Sequence, residues 1–76
     1  MQYEGGDRRV FKKELLKAKM VAKLVTNEDL ANKLGINAVT LYRKMNGESE
    51  FNRSEMQIIK SVLSLNKSEM DAIFFA

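Results

Sequence analysis

The chain has 76 residues, 45% of them hydrophobic and 30% charged, with a formal net charge of +3. That is enough for one small globular domain with a single core, and it excludes a multi-domain enzyme. There is no cysteine and no histidine, so a disulfide framework, thiolate or imidazole metal ligands and the usual general base are all excluded. No apolar stretch is long enough for a transmembrane helix or the core of a signal peptide, and the expectation is a soluble cytoplasmic domain.

In chain order, residues 1–9 contain Gly5-Gly6 and lack periodicity; they are expected to form a flexible basic N-terminal tail, leaving residues 10–76 as the domain. From about Val10 the pattern becomes helical. Phe11, Leu15, Leu16, Met20 and Leu24 recur at helical spacing between lysines, which predicts an amphipathic first helix ending near Lys23. Thr26-Asn27-Glu28-Asp29 places a hydroxyl N-cap before acids in a first turn and predicts a second helix to Leu34, burying Leu30, Ala31 and Leu34. Gly35 stands where a left-handed C-cap is wanted. Asn37 can cap a third helix over 38–45 with Leu41 and Met45 inside, stopped by Asn46-Gly47. After a polar loop, Phe51 is expected to fold back as an anchor. Asn52-Arg53-Ser54-Glu55 has the spacing of a capping box and opens a fourth helix with Met56, Ile59, Val62 and Leu63 inward. Asn66-Lys67-Ser68-Glu69 repeats that spacing before a short fifth helix carrying Met70, Ile73 and Phe74. Four consistent caps predict an all-α domain, a compact bundle of about five short helices with a central helix-turn-helix.

The charge is uneven. Arg8, Arg9, Lys12, Lys13, Lys17, Lys19 and Lys23 face only Glu14 between residues 8 and 23, whereas 51–76 are balanced. Clustered cations of this kind either solvate a helix face or meet a polyanion. The stretch Leu30 to Leu41 joins two short helices through three residues, Gly35, Ile36 and Asn37. Such a pair lets the second helix project into a major groove, although ordinary helical hairpins use the same parts. In that role Arg43 could pair bidentately with guanine, Ala38 and Val39 could pack on a thymine methyl, and Thr40 could offer a hydroxyl. Asn37 suits a phosphate, and Tyr42 and Lys44 are expected to point outward toward the backbone.

The Thr26–Ile36 segment, Arg43-Lys44-Met45-Asn46-Gly47, and the part from Glu48 through Asn66-Lys67-Ser68-Glu69-Met70 to Phe75 together resemble the lambda-repressor-like family of phage Cro and repressor proteins, notably small regulators of Gram-positive bacteria and their prophages. The resemblance implies a five-helix domain that binds operator DNA, usually as a homodimer on a palindromic site, and regulates transcription without a cofactor, a metal or a small-molecule substrate. It implies that Asn37, Ala38, Val39, Thr40 and Arg43 occupy positions that face bases or the adjacent backbone, and it implies phosphate contacts at Asn27 and Asn46. Three departures stand out: Leu24 where many members end helix one with glycine, Lys44 at a position that is often apolar, and Ala38 and Val39 in place of long polar readers.

Phe74 and Phe75 cannot both face inward from a short helix, so one of them is a candidate dimer contact. Two other function classes are weighed. A protein-interaction module of the same fold, of antitoxin or anti-repressor type, would keep the bundle without needing a basic reading face. An enzyme would have to use Glu14, Glu28, Asp29, Glu48 or Glu50, and no nucleophile, base and orienting group occur at linked spacing, so no catalytic residue is assigned.

Overall fold

A computed structural model describes residues 11–75, and the expected tail at 1–9 lies outside them. The described residues form five helices and no strand: α1 (Lys13–Ala22), α2 (Asn27–Leu34), α3 (Ala38–Met45), α4 (Arg53–Val62) and α5 (Lys67–Phe74). None is long and apolar enough to cross a membrane. The last four helices start where their caps predict. Thr26, Asn52 and Asn66 each accept the backbone N–H three residues on, and Asp29, Glu55 and Glu69 return the bond. Asn37 caps α3 from one side, with Oδ1 accepting from Thr40 N at 2.8 Å. Each such cap is worth about 1 kcal/mol.

α1 begins later than its periodicity predicts. The Lys12 N–H donates to the Ile73 carbonyl at 2.8 Å, which ties the entering chain to α5 and holds Phe11 and Lys12 out of the helix. Phe11 instead joins a three-ring cluster, 5.4 Å from Phe51 and 5.5 Å from Phe74 between ring centres, with Phe51 edge-on to Phe74. Phe51 is the buried anchor expected of it.

All four links between helices close the same way. Leu24, Gly35, Gly47 and Ser64 have positive φ, and the residue after each donates its N–H back around the end of the preceding helix. These bonds run from Val25 to Met20, Ile36 to Ala31, Glu48 to Arg43 and Leu65 to Lys60, at 2.8 to 3.0 Å. In three of the four the donating residue is apolar and packs on the core, the contact that fixes such an end. The two glycines are where the sequence puts them; Leu24 and Ser64 are not, because bond and apolar anchor impose the left-handed turn on residues that resist it.

Leu16, Leu30, Leu41, Ile59, Leu63 and Ile73 are fully buried at the centre, where α2 packs on α3 and α4, and α1 packs on α5. Truncating any of them to alanine should remove about 2–5 kcal/mol, a large share of what so small a domain has. Leu34, Met56 and Val62 pack on the core only half-buried, and Leu65, absent from the predicted core, is buried. Leu15 and Leu24, predicted on the apolar stripe of α1, are exposed instead. Leu15 lies about 100° from Leu16 around the helix, and Leu24 is carried past its end by the left-handed turn.

Candidate nucleic-acid interface

Gly35, at φ 73°, turns the chain from α2 into α3 within three residues, and no atom lies near a Cβ built there, so its requirement is backbone conformation alone. Leu41 and Met45 then sink one side of α3 into the core. With that side fixed, helical geometry decides the rest. Val39, Tyr42, Arg43 and the C-cap Asn46 line up on the opposite side, all exposed, with Ala38 beside them. Val39 is 58% and Tyr42 64% exposed, which places apolar and aromatic area on the same side of α3 as Arg43. The structure therefore brings Ala38, Val39, Tyr42, Arg43 and Asn46 to one surface.

Two expected members do not join it. Thr40 and Lys44 lie a turn apart on the flank of α3, and both are half-buried. Lys44, expected to point outward, turns in. Its Nζ sits 3.2 Å from Glu55 Oε1, donates to the Glu50 carbonyl at 3.0 Å and lies 6.0 Å from the centre of the Phe51 ring. Its flank faces the start of α4, where the buried Glu55 carboxylate needs a counter-charge. Lys44 is thus committed inside the fold and is corrected out of the outward-facing set.

Asn27 and Asn37 stand exposed at the starts of α2 and α3. The Asn37 side-chain Oδ1 is taken by the Thr40 N–H, which leaves its side-chain amide nitrogen for an incoming acceptor. Phe74 is 3% exposed and belongs to the core, so it is not a surface for a second copy; Phe75 is 48% exposed.

On the other side of α1 one lysine is paired across to α5. Lys19 donates to Glu69 of α5, and that bond, together with the Asn66 N–H and the nearby Lys23 charge, holds the Glu69 carboxyl below the ordinary carboxylate range. Sequence reasoning missed one neighbour of the exposed α3 surface: Lys13 Nζ donates to Asn46 Oδ1 at 2.9 Å. A contact spanning 33 residues leaves no local signal. No family model, curated protein or solved structure matches the chain.

Proposed function

We propose that the chain is a sequence-specific double-stranded DNA-binding transcriptional regulator of the phage Cro and repressor type, with α3 in the major groove of an operator and two copies on a palindromic site. The observation that carries this reading is the outer side of α3. A helix joined to its predecessor by a three-residue glycine turn exposes Ala38, Val39, Tyr42 and Arg43 together, while its inner side is anchored by Leu41 and Met45. Arg43 supplies a planar pair of donors for guanine O6 and N7, worth about 1–3 kcal/mol of discrimination against another base. Ala38 and Val39 supply methyl contacts to thymine, while Asn27, Asn37 and Asn46 supply uncharged donors to phosphate oxygens. Such a reader is partly dependent on DNA shape, because only one long polar side chain reaches for base edges.

A second reading, a protein-interaction module of the same fold, is favoured by one observation: Val39 and Tyr42 place apolar area on the same surface. The deciding experiment is fluorescence anisotropy with a random duplex pool and with sequences enriched from it, at several salt concentrations, using the wild-type chain and Arg43→Ala. The DNA reading expects an enriched, palindromic sequence, a steep salt dependence and a preference at one guanine that collapses in the variant. Binding that is absent, or equal for all sequences, overturns it and directs attention to a protein partner of that surface.

A further inference from the structure

We propose that α1 contributes a phosphate-binding edge beside α3, formed by Lys13 and Lys17 with the Asn46 amide, which holds the sugar-phosphate backbone next to the groove that α3 enters. This rests on the DNA-binding reading and adds to it a ligand-binding element on a different helix.

α1 has two cationic flanks separated by the buried Leu16 and Met20. On one flank Lys19 and Lys23 lie against α5, where Lys19 pairs with Glu69 and Lys23 adds to its field. Lys19 is thereby neutralised within the fold, and Lys23 faces the same carboxylate without an ion pair of its own among the described residues. On the other flank Lys13 and Lys17 recur one turn apart, and among the described residues neither has a carboxylate partner. Charges that the fold does not neutralise are those that a polyanion can exploit.

Both ends of this flank lie beside the helix-turn-helix. At one end Lys13 Nζ donates to Asn46 Oδ1, at the C-cap of α3. With its oxygen so occupied, the exposed Asn46 keeps two amide N–H donors, and Lys13 keeps two N–H groups of its own. The two side chains, held together by their bond, can donate to one anionic oxygen, and one of the donors is charged. At the other end Lys17 shares a shallow concave surface with Thr26 and Asn27, at the start of α2. The two lysines are separated by about 6 Å along α1, comparable to the distance between neighbouring phosphates of one DNA strand. Glu14 and Glu50 border the Lys13 end and lower the field there, which makes Lys17 the less opposed of the two.

The test is the salt dependence of binding to the enriched duplex, by anisotropy, for wild type, Lys13→Gln, Lys17→Gln and their double variant. Lys23→Gln and Lys67→Gln, which remove the same charge on the α5 side, serve as controls, and thermal melting checks that every variant folds. The expected result is a slope of log affinity against log salt shallower by about 0.9 for each lysine removed from the edge, with the ranking of sequences unchanged and the controls close to wild type. Slopes that stay at the wild-type value, or fall equally in the controls, overturn the edge. If Arg43→Ala still abolishes sequence preference in that case, the DNA reading stands without it. A wild-type chain that binds no duplex at any salt overturns both.

Discussion

Lys44 Nζ lies 3.2 Å from Glu55 Oε1, and the same carboxylate oxygen accepts the Asn52 N–H at 2.9 Å. One buried carboxylate thus joins the last turn of α3 to the cap of α4. The residue that caps the fourth helix also fixes the exit of the third, and the loop between them is held by the bond from Lys44 to the Glu50 carbonyl.

Removing the lysine alone leaves Glu55 buried without its counter-charge. Lys44→Met is expected to lose about 3 kcal/mol in urea denaturation, because an uncompensated buried charge costs more than the pair contributed. Adding Glu55→Gln should restore much of the loss, since glutamine can still accept the Asn52 N–H and carries no charge. A single variant within about 0.5 kcal/mol of wild type would mean that Glu55 finds water instead of lysine.

Glu69 provides a pH signature. Its carboxyl is held low first by the Lys19 hydrogen bond and then by the Asn66 N–H, so the folded chain binds fewer protons here than the unfolded one. The resulting stabilisation is fully present above the unfolded value, about 4.3, and is lost as pH falls through the lower folded value. The melting-temperature gap between wild type and Glu69→Gln should therefore be constant near neutrality and close below pH about 4. Salt should narrow it as well, because both side chains are about a third exposed. A gap that widens with acid contradicts the assignment.

Leu24 and Gly35 occupy equivalent positions at two helix ends, with φ of 60° and 73°. Leu24 is 88% exposed and has little packing to lose, so Leu24→Gly should raise stability by about 0.5–1 kcal/mol as relief of the left-handed strain outweighs the added freedom of the unfolded chain. Gly35→Ala should lower it by about 1 kcal/mol although nothing obstructs the new methyl. A rise for Leu24→Gly and a fall for Gly35→Ala in thermal melts are the expected outcome, and the reverse pair of signs would show that chain entropy, not φ, governs these turns.

The helices were legible in the sequence because their starts are local: a cap at Thr26, Asn37, Asn52 or Asn66 and its partner lie three residues apart. The turns were half legible, since glycine announces positive φ at 35 and 47 while Leu24 and Ser64 conceal it. The start of α1 was not legible, as it depends on a bond from Lys12 to Ile73 at the far end of the chain. On the candidate surface the spacing of Leu41 and Met45 identified the outer side of α3, but charge alone sent Lys44 outward. Its true partner, Glu55, was read only as a capping residue, because nothing local says that a carboxylate already bonded to a backbone N–H is also buried.

Glu48 offers a last test of how the proposed surface meets DNA. Its N–H donates to the Arg43 carbonyl at 2.9 Å, which places an exposed acid just beyond the C-terminal end of α3. That position is unfavourable twice, first against the negative end of the helix and then, on the DNA reading, against the phosphates that flank the groove. Glu48→Gln is expected to stabilise the fold by about 0.5 kcal/mol. On duplex DNA, Glu48→Gln and more strongly Glu48→Lys should tighten binding for all sequences alike, by about 1 kcal/mol or roughly fivefold for the charge reversal at low salt, with a steeper salt dependence. Anisotropy on the enriched and random duplexes checks this. Tightening on one sequence only would mean that the side chain reads a base, and weaker binding in both variants would mean that the acid orders the loop from Gly47 to Glu50 for contact, an effect opposite in sign to simple repulsion.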